Sequence, residues 1–95
     1  MAKYRIQLYI SGETQTTIKA KGMMDSICTD HLKGDCDIEV IDILVDPEKA
    51  EEEGIMAIPT LIRKSPLPEI RLIGALTIKT RIITGLGIEM EDVEG

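Results

Sequence analysis

The spacing of apolar residues along the chain switches between the two-residue period of strands and the three-to-four-residue period of helices. Tyr4–Ile10 alternates, with Tyr4, Ile6, Leu8 and Ile10 on one face and Arg5, Gln7 and Tyr9 on the other. That pattern predicts a strand with one better-buried side. Ser11-Gly12-Glu13-Thr14 interrupts it, and Ser11 or Thr14 can cap a helix beginning there. From Gln15 to Leu32 the period lengthens, and Ala20, Met24, Ile27, Cys28 and His31 share one helical face. Gly22 lies inside this helix, where it costs about 1 kcal/mol relative to Ala and marks either close packing or a weak helix. Lys33-Gly34-Asp35 stops it.

Ile38–Val45 is dense in Ile and Val, which predicts a second strand in the middle of a sheet, buried on both faces. Strand, helix and strand in succession predict a right-handed crossover between parallel strands. Asp46-Pro47 opens an acidic helix, with Asp as N-cap and Pro in the first helical position, and Gly54 ends it. Its acidic side chains read as a solvated surface. Pro59 enters a third strand, Leu61–Lys64, at a joint that suits a cis bond. Ser65-Pro66-Leu67-Pro68 turns the chain into a fourth strand over Glu69–Ile73, antiparallel to the third. Leu76–Leu86 fits both periods: Ile78, Ile82, Ile83 and Leu86 share a helical face, while TIKTRI alternates and is rich in β-branched residues.

Ninety-five residues support one domain, over 1–88, with an acidic tail over 89–95. The core must be aliphatic, because Tyr4 and Tyr9 are the only aromatic residues. A net charge of −6 argues against binding to a nucleic acid backbone. No membrane span or signal peptide is visible, so a cytoplasmic protein is expected. Cys28 and Cys36 lack the spacing of a redox or zinc motif. They read as reduced thiols, with a disulfide closing a short loop as the alternative.

The predicted order, βαβαββα, is that of a thioredoxin-like α/β domain. Such a domain keeps its reactive cysteine at the start of the first helix, where the dipole lowers a thiol pKa. Here Ser11-Gly12-Glu13-Thr14 occupies that place, and Cys28 falls late in the helix. A thiol–disulfide enzyme is therefore not expected, and no catalytic residue, cofactor or metal ligand set stands out. His31 reads as a helix residue at the core edge and Asp42 as a strand-end polar contact. Lys19, Lys21, Arg63, Lys64 and Arg71 are scattered in sequence and read as solvated surface or as parts of a partner-facing patch.

LYISGET (Leu8–Thr14), VIDILVDPEKAEEEGIMAIPTL (Val40–Leu61), PLPEIRLIG (Pro66–Gly74) and the Ile82–Leu86 segment containing Gly85 together resemble the KaiB family. The resemblance runs without a gap over nearly the whole chain. It implies a non-enzymatic regulator, without a cofactor, that binds a KaiC-type ATPase and modulates its phosphorylation cycle, with a homo-oligomeric resting state, a dimer or tetramer. The sensory domain of a clock-associated histidine kinase shares the fold and is a weaker match. The resemblance also implies metamorphism, with a thioredoxin-like fold and an alternative KaiB ground-state fold that part company after about Leu44. Lys19 and Arg63 resemble partner-contacting positions, and Tyr4 and Gly85 match positions that influence the fold balance. Gly87 stands where an Asp is usual and Met90 where a Tyr is usual, which is expected to loosen the ground state and favour the thioredoxin-like one. Glu39 reverses the charge of a usual Lys beside the second strand, the edge on which the family captures KaiA, so KaiA capture is not expected here.

Overall fold

The first strand, β1 (Tyr4–Ile10), is the axis of the fold. The computed structural model describes residues 2–74 and 78–88. β1 is followed by helix α1 (Gln15–His31), strand β2 (Cys36–Asp42), helix α2 (Pro47–Glu53), strands β3 (Thr60–Ser65) and β4 (Ile70–Ile73), and helix α3 (Lys79–Gly85). The sheet order is β2-β1-β3-β4. β1 runs parallel to β2 from Tyr4↔Cys36 to Ile10↔Asp42, and antiparallel to β3 with Leu8 opposite Leu61. β4 pairs antiparallel with β3, from Thr60↔Ile73 to Arg63↔Ile70.

Alternation along the strands divides the core into two layers. Ile6, Leu8 and Ile10 of β1 and Leu61 of β3 pack with Ala20, Met24 and Ile27 of α1 and with Ile82, Ile83 and Leu86 at α3. On the opposite face, Tyr9, Ile41 and Ile62 pack against Ala50 of α2. The face of β1 that reads as polar therefore carries a fully buried Tyr9. Its hydroxyl donates to Gln7 Oε1 at 3.1 Å, which leaves the ring free to pack.

The capping chemistry works as the sequence predicts. Thr14 Oγ1 accepts from the Thr17 N–H at 3.1 Å at the start of α1. Asp46 Oδ1 accepts from the Lys49 N–H at 3.3 Å at the start of α2. Gly54 closes α2 with its N–H directed at Ala50 and Glu51 carbonyls. A Cβ at Gly22 would meet open space, so this glycine is a weak point of α1 rather than a packing contact. The Ile58–Pro59 bond is cis.

The second strand corrects the expectation of a central position. β2 lies at the sheet edge and ends at Asp42, and Val40 is 40% exposed. The Asp42 carboxylate accepts from the N–H groups of Gly12 (3.1 Å) and Leu44 (2.9 Å), turning the chain out of the sheet. Leu44 and Val45, read as strand residues, are consequently exposed. Ile and Val suit an edge strand as well as a central one, so composition does not separate the two.

The ambiguous C-terminal segment is helical where it is described. Ile82, Ile83 and Leu86 are buried, whereas Ile78 is 45% exposed. Leu76, Thr77, Met90 and the acidic tail lie outside the described residues. α3 lies close to β4 because Gly85 has no side chain: a Cβ there would stand 2.6 Å from Leu72 Cδ2 and 3.3 Å from Leu72 Cγ.

Two stability measurements test this packing. Gly85→Ala is expected to cost about 1–2 kcal/mol, because displacing Leu72 outweighs the gain in helix propensity. Denaturant unfolding of Gly85→Ala, Leu72→Ala and the double variant should show a double variant less destabilised than the sum by at least about 0.5 kcal/mol. Additive losses would show that the two residues do not meet. The second measurement concerns pH. Burial, reinforced by Glu53 and Glu39, pushes the Tyr9 phenol up to about 12 from 10.0. Between those values the unfolded chain releases a proton that the folded chain retains, so stability present below pH 10 is lost as pH rises to 12. Relative to Tyr9→Phe, the wild type should lose about 2–3 kcal/mol over that interval, while other alkaline titrations cancel between the two proteins.

Candidate interaction surface and the α3 clasp

The start of α1 follows the β1 end directly, and its local polar groups are already engaged. Besides capping α1, Thr14 Oγ1 lies 3.2 Å from the Thr17 hydroxyl, which donates to the Gly12 carbonyl at 3.3 Å. The loop Ser11–Thr14 thus closes on its own backbone and on Asp42. It offers no thiol to the helix N-terminus. Cys28 belongs to the last turns of α1 and Cys36 opens β2, both as free thiols. Thr60, after Pro59, donates to the Ala57 carbonyl at 2.7 Å and fixes the entry into β3. Nothing here resembles a nucleophile–base pair, and among the described residues no group of three or more potential ligands could hold a metal.

The five basic residues singled out in the sequence fall into four environments. Lys19 is exposed on α1. Lys21, also on α1, pairs with Glu13 at 3.2 Å. Lys64 and Arg71 form a network with carboxylates: Lys64 lies 3.0 Å from Glu53 and 3.4 Å from Glu69, and Arg71 lies 3.2 Å from Glu53. This network ties the end of α2 to β3 and β4. The Glu53 carboxylate, and burial acting against it, leave the Lys64 ammonium above its ordinary value. Glu39 is held below its ordinary value by hydrogen bonds from Lys49 and Gln7, so it links β2 to α2.

Arg63 is different: only 6% of it is exposed. It follows Leu61 by two residues, so β3 turns it toward the α1 and α3 layer. There Nη1 donates to the Leu86 carbonyl at 2.6 Å and Nη2 to the Pro68 carbonyl at 2.8 Å. The guanidinium thus clasps the end of α3 to the β3–β4 turn, while its buried Nε has no partner among the described residues. Leu86 is the C-cap residue of α3, and a carbonyl at that position has no helical donor of its own.

Gly87 belongs to the same arrangement. Its φ of +71° suits glycine, and a Cβ there would stand 3.0 Å from Arg63 Nη1. The structure therefore brings Arg63 and Gly87 together at the end of α3, with Gly85, two residues earlier, against Leu72. Tyr4 is elsewhere, at the beginning of β1, partly buried against the core with the Lys3 ammonium 5.7 Å from its ring centroid. Lys19 sits on α1, and Met90 lies outside the described residues. The Leu86 and Pro68 carbonyls and the Leu72 side chain were not singled out by sequence. The parity of Arg63 with Leu61 in an alternating strand is the signal that points toward them.

Residues 7–88 match the family model described as the KaiB domain. The chain is 37% identical over 92 residues to the circadian clock oscillator protein KaiB of Prochlorococcus marinus, covering 97% of this chain and 81% of that protein. It is 35% identical over 94 residues to circadian clock protein KaiB3 of Synechocystis, covering 99% and 92%. Among solved structures, chloroplastic thioredoxin z superposes with a TM-score of 0.74 at 16% identity, over 90% of this chain and 76% of that one. Mitochondrial thioredoxin 3 from Saccharomyces cerevisiae gives 0.72 at 16% identity, over 92% and 79%. These two likenesses establish a thioredoxin-like fold and nothing of its chemistry. The family match and the identities, extending over nearly the entire chain, show that it belongs to the KaiB family.

Proposed function

We propose that this chain is a circadian clock regulator that binds a KaiC-type ATPase and modulates its ATPase and phosphorylation cycle, performing no chemistry of its own. The observation that carries this reading is the family match over residues 7–88. The α1 start supports it, because the position that carries reactive thiols in redox domains of this fold holds Ser11–Thr14. The protein acts in the cytoplasm, and no described helix is long and apolar enough to cross a membrane. Self-association as a dimer or tetramer would have the exposed Leu44 and Val45 to draw on.

In this reading Lys19 contacts the partner directly, since it is exposed and cationic. Arg63, with its guanidinium turned inward, contributes by holding α3 and the Pro68 turn in the binding-competent arrangement. Tyr4, Gly85, Gly87 and Met90 bear on the balance between this arrangement and a second fold of the C-terminal half. The second fold reduces apparent affinity by the fraction of molecules that occupy it.

Size-exclusion chromatography of the protein with the KaiC-type ATPase of its own genome, with nucleotide and after long incubation, is expected to show a complex. Failure to co-elute at any incubation time would remove the proposed function. Lys19→Glu should weaken the complex about 3- to 10-fold, with the difference shrinking at high salt.

Arg63→Met should act by another route. It removes two charged hydrogen bonds and is expected to loosen α3 by about 2–3 kcal/mol, seen as faster amide exchange at Ile82–Leu86. Lys19→Glu should leave that exchange unchanged. If Arg63→Met weakens the complex without altering exchange at α3, Arg63 is a contact residue and the positioning role fails.

A further inference from the structure

Cys28 and Cys36 take no part in the function proposed above, yet the fold brings them together. Cys28 is carried by the last turns of α1, and the chain returns through Lys33-Gly34-Asp35 to start β2 at Cys36. This return is fixed by backbone bonds: the Gly34 N–H donates to the Cys28 carbonyl at 2.9 Å, and the Tyr4 N–H to the Asp35 carbonyl at 3.2 Å. The Asp35 carboxylate accepts from the Lys3 N–H at 3.0 Å and pins the same corner to the start of β1. Cys36 has the parity of Ile38 in β2, and both pack toward the α1 layer. The Cys28 thiol meets Cys36 there, donating to its carbonyl at 3.5 Å. Both residues are partly accessible, and both are reduced.

We propose that Cys28 and Cys36 form a native-state redox site, closed to an intramolecular disulfide by low-molecular-weight disulfides such as oxidised glutathione. Burial and the adjoining Cys28 thiol push the Cys36 thiol well above the ordinary range, which makes Cys36 the poorer first nucleophile. Cys28, as thiolate, attacks one sulfur of the small disulfide and expels one thiolate, giving a mixed disulfide. Cys36 then loses its proton and attacks the Cys28 sulfur, expelling the second thiolate. Two protein thiols are oxidised, one small disulfide is reduced to two thiols, and no other reactant is needed. The second step is slow, because the Cys36 thiolate is disfavoured.

The crosslink would join the end of α1 to the first residue of β2. It would therefore stiffen the β1–α1–β2 unit and leave α2 and α3 uncrosslinked. Reversible stabilisation of one part of the chain is the expected consequence of oxidation.

The test incubates the folded protein with oxidised glutathione at mildly alkaline pH, followed by intact mass and peptide mapping. Wild type should lose the mass of two hydrogens, with the bond mapped between Cys28 and Cys36 and reversed by dithiothreitol. Cys36→Ser should instead accumulate a stable glutathione adduct at Cys28, and Cys28→Ser should react more slowly. The oxidised monomer should melt about 5–15 °C higher than the reduced one. A stable glutathione adduct on the wild type, a disulfide found only between molecules, or oxidation that requires denaturant would each overturn the proposal. These readouts do not involve the ATPase and stand apart from the function proposed above.

Discussion

The register of β1 is the constraint on which the remaining structure depends. β1 bonds to β2 on one side and β3 on the other, and both helical layers pack on its side chains. Ile6, Leu8 and Ile10 commit one face to α1 and α3, and Tyr9 commits the other to α2. A slip by one residue would exchange the two sets, which is why the pairing is well determined. The regular pairing of β1 with β3, Leu8 opposite Leu61, continues to place Arg63 against Ile6, on the α3 side of the sheet, before the register shifts between Ile6 and Arg5. The position of a cation under α3 is thus a consequence of the register of a strand nearly sixty residues earlier in the chain.

A buried guanidinium is costly unless its donors are satisfied. Here it meets the C-cap carbonyl of α3, which has no helical donor, and the carbonyl of Pro68 in the β3–β4 turn. Each side answers the other's desolvation, and the pairing adds to the core contacts that already hold α3. Among the described residues Nε has no partner, and there the pairing contributes less than a fully bonded arginine would. Gly87 takes part by leaving room for Nη1.

Local chemistry accounts for what was legible in the sequence. The alternation of β1, the Thr14 and Asp46 caps, the Gly54 stop and the proline-rich turn into β4 are decided within a few residues, and each appears as expected. The edge position of β2 was not legible, because strand order is a property of the whole sheet and Ile and Val suit either place. The inward turn of Arg63 was only partly legible: beside Lys64 and before a turn it reads as surface, and its parity with Leu61 is the signal against that reading. Lys64 is indeed the more exposed of the two, on the α2 side with Glu53. Only strand parity separates neighbours of like charge into a buried clasp and a surface ion pair.

The ambiguity of the C-terminal segment has a physical origin in α3 itself. The helix has seven residues, no side-chain cap at Ile78 and a glycine within it. Thr80, Ile82, Ile83 and Thr84 are β-branched, and a helix this short and this composed is unstable alone. Its conformation is therefore supplied from outside: by burial of Ile82, Ile83 and Leu86, by the Arg63 clasp and by close approach of Gly85 to Leu72. α1 and α2, in contrast, have side-chain caps in their own sequences. A segment whose pattern fits two periods, and whose helix depends on contacts from other elements, is where a second conformation costs the chain least. Loss of the contacts around Leu86 would release α3 without disturbing the register of β1.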